Sequence, residues 1–405
     1  MPETDILFVH SDGAVRKRIQ DCFKRPPDGW SVHCAANAND ALRLLARLPV
    51  DLIVAEEEMR HQGATLLLEV VSTRFPSLVR AAFTEGTAAD RDLVHSPLVH
   101  FFLSLSQDPA QWQEALTRAC NARLDLHSEQ VKAVVGGLGT LPVLPQVYLE
   151  FERVAEEGGG AQDLAEVVSQ DAAIAGKLLQ LVNSACFGLS REIHSSSEAI
   201  AFLGVNRVKS LILSNGLFDQ LGAPTLGEFS QDSLWKHAAT TSELAGRLGA
   251  KVGLDKADLD AAFTAGVLHD LGRLIFLSRQ SSQFREAIET AEMEGSTLES
   301  MERIVLGATH AEVGAYLLSL WGLPDSIVQA VKFHHEPSRS GTTERTPLLA
   351  VHLANAFAGE KEGGTHRQNL LDEAYLEALG VSDERDSWSE AARSWLEKTG
   401  GEVSV

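Results

Sequence analysis

The sequence predicts an α/β domain built on a parallel sheet, followed by an all-helical domain. Short apolar runs alternate with helical patterns through about the first 120 residues, and this alternation is typical of βαβ units. From about residue 125 to about residue 360, apolar residues recur with helical periodicity almost throughout. The change of period therefore separates two domains of different class.

Five strands are expected in the first domain, because compact apolar runs are separated by polar and turn-forming residues. They cover Ile6–His10, Trp30–Ala36, Leu52–Glu56, Arg80–Thr84 and His100–Ser104. The run Asp51–Ala55 is nearly continuous in its apolar character, which fits a strand covered on both faces. The stretch Asn39–Leu48 has an apolar face and predicts one of the covering helices.

Helix boundary signals recur in the second domain. Thr309 and Glu312 form a Thr-x-x-Glu capping box that opens a helix, and Gly322 followed by Pro324 closes it. A polar, glycine-rich segment at 359–364 predicts a flexible linker before a C-terminal segment with short amphipathic helices. We therefore expect domains at 1–124, 125–360 and 361–405, the last a helical extension.

Composition limits the classes of partner and compartment. The formal net charge of −21 opposes binding to nucleic-acid phosphates, so no nucleic-acid partner is expected. No apolar run is long enough for a membrane span, and the N-terminus lacks the basic region of a signal peptide. Four separated cysteines without a C-x-x-C pair indicate reduced thiols: Cys22, Cys34, Cys120 and Cys186. We expect a cytoplasmic protein without a membrane partner.

Residues at or just after the ends of the predicted strands form the first candidate site. They are His10, Ser11, Asp12, Glu56, Thr84 and Leu105. Together with the strand order, these positions resemble the receiver domain of two-component response regulators over roughly residues 4–122. The resemblance implies a flavodoxin-like, doubly wound sheet of five parallel strands, in which Thr84 fits the switch Thr/Ser position.

The same resemblance implies that the phosphorylation chemistry has been lost. The acidic pair that binds Mg²⁺ in receivers is replaced by His10 and Ser11, with a displaced Asp12. Glu56 stands at the phosphoacceptor aspartate, and the lysine position falls at Leu105. Phosphotransfer needs a bridging metal and a cation to offset charge, so none is expected. Glu56 either mimics the phosphorylated state in part, or the domain is a docking or dimer surface; we favour the second.

The helical domain contains an ordered set of residues that can bind metals. Its members are His237, His269, Asp270, His310, His334, His335 and Asn355. Imidazole suits Fe, Mn, Zn and Ni, and a carboxylate can bridge two such ions. A single helical histidine is more often a core or surface residue, whereas this order predicts a shared site.

The order His, His-Asp, His, His-His resembles the HD phosphohydrolase superfamily, and the upstream sequence is most similar to its HDOD output domains. The motifs that carry this resemblance are Leu141–Val147, Val167–Asp171, Val182–Gly188, Leu203–Val205 and Trp321–Pro324. The resemblance spans roughly residues 130–358. It implies an HD-like helical fold and a signalling output without an assigned reaction.

Several positions depart from the catalytic relatives. Asn355 replaces the final aspartate ligand, and a neutral amide is a poor ligand for a divalent cation. Arg273 replaces a lysine that often follows the His-Asp pair. The Gly-Tyr-Pro loop of cyclic-di-GMP phosphodiesterases does not follow His335, and Ser233 occupies the position of a third-metal glutamate. Asp270 and Arg273 are the only candidates for catalysis.

These observations predict a bacterial signal-transduction regulator rather than an enzyme. A pseudo-receiver input would be coupled to a non-catalytic HDOD output that acts through protein–protein or ligand binding. Its partners would be signalling proteins, with a homodimer as a reasonable assembly. The alternative is a metal-dependent phosphodiesterase of the HD superfamily, with Fe, Mn or Zn as the cofactor.

Overall fold

The structure is a computed structural model that divides into two compact units. It describes residues 4–61, 65–75, 78–84, 98–125, 142, 144–184, 192–222, 224–227, 229–362 and 371–398. The second unit begins at Leu144. The finer domain limits at 124 and 360 stay predictions.

A five-stranded sheet forms the centre of the first unit. Its strands are β1 (Thr4–Val9), β2 (Trp30–Ala35), β3 (Leu52–Glu56), β4 (Val79–Thr84) and β5 (Phe101–Ser104). The strand order is β2-β1-β3-β4-β5, and all four pairings are parallel. This is the flavodoxin-like order. The predicted fold class is confirmed, and each strand ends within two residues of its expected limits.

Helices connect the strands of this unit. They are α1 (Gly13–Cys22), α2 (Ala38–Leu45), α3 (Leu67–Arg74) and α4 (Pro109–Asp125). A two-stranded antiparallel ribbon, in which Arg60–His61 pairs with Thr65–Leu66, precedes α3. Strand β3 is buried along most of its length, as its continuous apolar run predicts. Helix α4 ends at Asp125, and residues 126–141 lie outside the described residues.

The second unit is helical, as predicted. Its helices are α5 (Gln146–Glu156), α6 (Ala161–Ser169), α7 (Ala172–Val182), α8 (Ser196–Leu203), α9 (Val205–Leu221), α10 (Gln231–Lys251), α11 (Lys256–Leu268), α12 (Leu271–Arg279), α13 (Ser281–Glu294), α14 (Leu298–Val305), α15 (His310–Leu320), α16 (Asp325–Phe333), α17 (Pro347–Glu362), α18 (Glu373–Ala378) and α19 (Arg385–Lys398). Helix α10 packs against α11 and α17, and most of its side chains are buried.

The predicted capping box fixes the start of α15. The Glu312 amide donates to Thr309 Oγ1 at 3.2 Å, and the Thr309 amide donates to Glu312 Oε2 at 3.0 Å. Gly322 follows the helix with φ of 78°, a left-handed conformation that glycine adopts without strain. The capping box therefore places His310 at the first position of the helix.

The described residues bear on two expectations drawn from composition, one about membrane spans and one about cysteines. Every helix there is too short or too polar to cross the hydrocarbon layer of a membrane. Cys22, Cys34 and Cys120 are free thiols, whereas Cys186 lies outside the described residues.

Candidate metal centre

The structure brings the predicted ligand residues of the helical domain together in one buried cluster. Asp270, His310, His334 and His335 offer ligand atoms within 4.8 Å of one another, and we call them the four-residue group. His237, His269 and Asp270 meet the same criterion, and we call them the three-residue group. Asn355 joins the cluster because its Oδ1 lies 3.0 Å from His237 Nε2. Asp270 is the carboxylate that both groups share.

Each ligand residue is positioned by a helix or by a helix end. His237 lies on α10, the His269–Asp270 pair joins α11 to α12, His310 begins α15, the His334–His335 pair follows α16, and Asn355 lies on α17. Helices α11, α16 and α17 pack against one another, and α10 packs against α11 and α17. Helices that converge in this way bring residues distant in sequence to one point.

Two glycines allow the helices to approach closely at this point. A Cβ on Gly272 would lie 2.6 Å from the His310 carbonyl carbon and 2.7 Å from its Cα. A Cβ on Gly266 would lie 2.7 Å from the Cα of Ser242 on α10. Both separations are too short for any side chain, so glycine is required where these elements approach each other.

Hydrogen bonds to the backbone orient two of the imidazole rings. His269 Nδ1 donates to the Gly266 carbonyl at 2.8 Å, and His334 Nδ1 donates to the Val331 carbonyl at 2.7 Å. Because a carbonyl oxygen only accepts, Nδ1 carries the proton and Nε2 presents a lone pair. Both Nε2 atoms are buried without a hydrogen-bond partner. Buried lone pairs of this kind fit a metal ion.

Asp270 is ionised and held on one side by an arginine. Arg273 Nη1 donates to Asp270 Oδ2 at 2.6 Å, and both side chains are buried. Burial opposes ionisation, but Arg273, His269 and His310 outweigh it and hold the pKa of Asp270 well below its ordinary value. Oδ1 lies 3.2 Å from His310 Nε2 but has no partner with hydrogen-bond geometry. Oδ1 therefore faces the four-residue group as a further unsatisfied ligand atom.

Burial keeps three of the histidines neutral. It lowers the pKa of His269 to about 4, despite the attraction of Asp270. Burial and neighbouring histidines also lower the pKa of His334 and His335 well below the ordinary value. Neutral imidazole is the form that binds a metal.

Glu302 was not among the predicted residues, although it is fully buried beside the cluster. Its Oε2 accepts hydrogen bonds from His310 Nδ1 at 2.6 Å and from the His310 amide at 2.8 Å. Burial and Arg273 oppose protonation of His310, but Glu302 and Asp270 outweigh them and raise its pKa to about 9. The sequence offered one signal for the burial of Glu302, namely its position in the helix. It shares the buried face of α14 with Leu298 and Met301.

The candidate pocket of the sheet domain is closed by hydrogen bonds of its own. The amide and the hydroxyl of Ser11 donate to Glu56 Oε2 at 3.0 and 2.6 Å, and His10 Nδ1 lies 3.9 Å from the same oxygen. Burial opposes ionisation of Glu56, but the Ser11 bonds lower its pKa below the ordinary value. Asp12 instead caps α1 by accepting from the Ala14 amide at 2.7 Å.

The remaining predicted positions of this pocket make structural contacts. Thr84 is buried, and its hydroxyl donates to the Leu103 carbonyl at 3.4 Å. The Leu105 carbonyl, at the lysine position of receivers, accepts from the guanidinium of Arg18. Arg18 also lies over the ring of Trp112 at 4.6 Å and was not among the predicted residues. His10, Ser11 and Glu56 therefore lie together in this pocket. The other predicted positions, Asp12, Thr84 and Leu105, make hydrogen bonds that hold the backbone in place.

Comparison with known proteins gives relatives for the helical domain. An uncharacterized protein from Treponema pallidum (strain Nichols) is 28% identical over 239 residues, which is 59% of this chain and 46% of the relative. Ribonuclease Y from Thermus thermophilus is 30% identical over 168 residues, which is 41% of this chain and 23% of the relative. The chain therefore spans about half of the first relative's length and less of the second.

A solved structure supports the helical fold. The crystal structure of an HDOD domain protein of unknown function from Geobacter sulfurreducens aligns with a TM-score of 0.55 at 20% identity. The alignment covers 70% of this chain and 97% of that one. The HDOD domain family itself matches residues 141–337, a range that holds His237 to His335 and ends before Asn355. The chain therefore carries an HDOD domain, preceded by a sheet domain with the strand order predicted for a receiver.

Proposed function

We propose that this protein is a cytoplasmic signal-transduction regulator whose HDOD domain acts by binding rather than by catalysis. The observation that carries the proposal is the position of Asn355. Asp270 is the only carboxylate among the seven predicted ligand residues, and the Asn355 amide oxygen lies 3.0 Å from His237 Nε2. The second acid that a phosphohydrolase of this kind would use is therefore replaced by a neutral side chain.

The charges of the cluster support the same proposal. A divalent metal that activates water needs anionic ligands to hold it and must keep an open position for the substrate. Here Arg273 already offsets the charge of Asp270 at a distance of 2.6 Å. The cluster can hold a ligand or an ion, but it lacks the negative charge that two catalytic ions would require.

The test of this proposal is phosphodiesterase activity in the full-length protein. Protein loaded with Mn²⁺, Fe²⁺ or Zn²⁺ would be incubated with bis(4-nitrophenyl) phosphate or a cyclic dinucleotide. We expect no turnover above that of the Asp270→Ala variant, which serves as the matched blank. Turnover that is lost in Asp270→Ala would show that the protein is a hydrolase.

A metal-dependent phosphodiesterase is the second candidate, and the unsatisfied atoms favour it. His269 Nε2, His334 Nε2 and Asp270 Oδ1 are buried without hydrogen-bond partners, and these atoms suit Fe, Mn or Zn. When bound, such a metal would polarise a phosphate and lower the pKa of a water. If the site is a weakened hydrolase, Asn355→Asp would raise turnover above wild type, whereas a binding site would gain none.

We do not propose RNA cleavage from the similarity to ribonuclease Y. The match to the Thermus thermophilus ribonuclease Y covers 41% of this chain and 23% of the relative, and the net charge of −21 opposes binding to a polyanion. The proposed partners are signalling proteins.

The proposal for the sheet domain is a receiver fold without phosphotransfer. Ser11 already binds the Glu56 carboxylate, and the acidic pair that would bind Mg²⁺ is replaced by His10 and Ser11. Incubation with labelled acetyl phosphate and Mg²⁺ should leave the protein unlabelled. Label that disappears in Glu56→Ala would contradict this reading.

A homodimer completes the proposal. Receiver relatives often pair through their last helical face, and the loss of phosphotransfer leaves docking as the use of such a face. Light scattering during size-exclusion chromatography should give twice the chain mass of 43.8 kDa. A strict monomer would remove this part of the proposal and leave the rest.

A further inference from the structure

The two groups that share Asp270 differ in how their ligand atoms are already engaged. In the three-residue group, Asp270 Oδ2 accepts from Arg273 Nη1 at 2.6 Å. His237 Nε2 lies 3.0 Å from Asn355 Oδ1, so this nitrogen donates to the amide oxygen. Two of the three ligand atoms are therefore satisfied by neighbouring side chains. The lone pair on His269 Nε2 is left without a partner.

The four-residue group offers more unpartnered ligand atoms than the three-residue group. Asp270 Oδ1 and His334 Nε2 have no hydrogen-bond partner. The other two ligand atoms, His310 Nε2 and His335 Nε2, are hydrogen-bonded to each other at 3.1 Å, and His310 Nε2 also lies 3.2 Å from Asp270 Oδ1. Because His310 Nδ1 is bound to Glu302 at 2.6 Å, its Nε2 is the atom directed at the others. One carboxylate oxygen and three imidazole nitrogens match the ligand types and number of a mononuclear site.

Arg273 occupies the Oδ2 side of Asp270, where an ion in the three-residue group would bind. Its Nη1 lies 2.6 Å from Asp270 Oδ2, and its side chain is buried. Its Nη2 lies 3.5 Å from His335 Nε2, a ligand atom of the four-residue group. A guanidinium keeps its positive charge in proteins. A divalent ion bound to Oδ2 would lie beside that charge without water to screen it.

We infer that the cluster binds a single divalent transition-metal ion in the four-residue group and that Arg273 supplies the second positive charge internally. The inference rests on the proposed function, because it assigns the occupant of the same site. The juxtaposition that carries it is Arg273 against one oxygen of Asp270, with three histidines converging on the other. Arg273 is therefore a positioning residue that sets metal stoichiometry.

Metal stoichiometry tests the inference directly. Full-length protein would be stripped with a chelator, reloaded with Zn²⁺, desalted and measured by inductively coupled plasma mass spectrometry. We expect one equivalent per chain. Loading with Mn²⁺ should give the electron paramagnetic resonance spectrum of an isolated ion rather than that of a spin-coupled pair.

Two ligand variants decide which group binds the ion. His334→Asn should reduce bound Zn²⁺ from one equivalent to none, whereas His269→Asn should leave one equivalent. The reverse pattern would overturn the assignment, as would two equivalents in the wild type. Circular dichroism would show that both variants are folded.

Arg273→Gln combined with Asn355→Asp tests the role of the arginine. This pair removes the internal cation and restores a carboxylate, so bound Zn²⁺ should rise to two equivalents. Arg207→Gln is the matched control, because Arg207 also faces carboxylates, namely Glu243 and Asp260, and it should leave one equivalent. One equivalent in the folded double variant would overturn the role given to Arg273.

The two proposals fail in different ways. A wild-type protein that binds no Zn²⁺ would overturn the single-ion inference while leaving a binding function for the HDOD domain. Phosphodiester turnover would overturn the binding function even if one equivalent of metal were found.

Discussion

Gly272 shows how one residue can set the geometry of the whole cluster. It lies at the start of α12 and touches the backbone of His310, so an added Cβ would meet backbone atoms that cannot move aside. Gly272→Ala should push His310 away from Asp270 and destabilise the fold by about 1–3 kcal/mol, the usual cost of overpacking. Stability in urea denaturation and Zn²⁺ affinity should both fall relative to wild type.

Gly176 provides the matched control for this substitution. It lies inside α7, and nothing is within 4 Å of the position that its Cβ would take. Gly176→Ala should raise stability by about 0.5–1 kcal/mol, because alanine loses less backbone entropy in a helix. Equal effects of the two alanines would contradict the role given to Gly272.

Glu302 acts on the cluster through His310 rather than as a ligand. Its carboxylate accepts from His310 Nδ1 at 2.6 Å, which fixes the ring and strengthens Nε2 as a donor to metal. Glu302→Gln should weaken Zn²⁺ binding by about 10-fold, at the lower end of what such partners contribute. A competition assay with a coloured chelator measures the affinity.

The control for Glu302 is a glutamate beside the same histidine that does not contact its ring. Glu312 lies two residues after His310, where it caps α15 and pairs with Arg303. Glu312→Gln should leave Zn²⁺ affinity within about twofold, since no ligand loses a partner. Unchanged affinity in Glu302→Gln would remove Glu302 from the site.

The residues of the cluster were predictable in part. His237 to His335 were identified because their order in sequence is itself informative, and the structure places them together. Glu302 and Arg18 were missed because each acts through a contact between elements, which no local pattern encodes. The pairing of Arg273 with Asp270 follows the i, i+3 spacing of a helix start and was within reach of sequence reasoning.

At the scale of elements, His352 on α17 joins the C-terminal segment to the backbone of a ligand residue. Its Nδ1 donates to the His334 carbonyl at 2.8 Å, and its Nε2 accepts from the Asp372 amide at 3.0 Å. The Asp372 carboxylate in turn accepts from the Ser338 amide at 2.9 Å and caps α18 through the Tyr375 amide. The segment after residue 371 therefore supports the loop that presents His334.

This connection predicts two effects of Asp372→Ala. Loss of the helix cap should destabilise the protein by about 1 kcal/mol, and the freed loop should also weaken Zn²⁺ binding. Asp171→Ala removes a comparable cap, since Asp171 accepts from the Ala173 and Ile174 amides at the start of α7. It should lower the melting temperature without changing metal affinity. Equal metal affinity in both variants would show that the C-terminal segment does not support the site.

The elements themselves were largely predictable, because they depend on local periodicity. The strands of the sheet lie within two residues of expectation, and the expected helix at 39–48 is observed at Ala38–Leu45. The ribbon of Arg60–His61 with Thr65–Leu66 was missed. Paired segments of two residues are too short to show any alternation.

At the scale of the molecule, pH should change the stability of the metal-free protein in a defined direction. Desolvation lowers the pKa of several buried or half-buried histidines below the ordinary 6.5: His100, His269, His334, His335 and His352. Below about pH 6.5 these histidines are protonated in the unfolded chain but stay neutral in the folded chain. Each such histidine should therefore reduce stability by at most about 1.4 kcal/mol per pH unit as pH falls from 6.5 towards its folded pKa.

His310 should act in the opposite sense. The pKa of His310 in the folded protein is about 9. Its protonated form therefore contributes fully to folding stability below pH 6.5, and this contribution is lost as pH rises towards 9. Urea denaturation of chelator-treated protein at pH 5, 7 and 9 should show greatest stability near neutrality. Stability that increases from pH 7 to pH 5 would contradict the assigned protonation states.

The carboxyl edge of the sheet is tied down at two places. Ser11 holds Glu56 at the end of β3, and Arg18 reaches from α1 to the backbone that follows β5. These contacts oppose rearrangement of the edge, so it offers other proteins a constant surface. We therefore expect the domain to act as a constant docking surface rather than as a conformational switch.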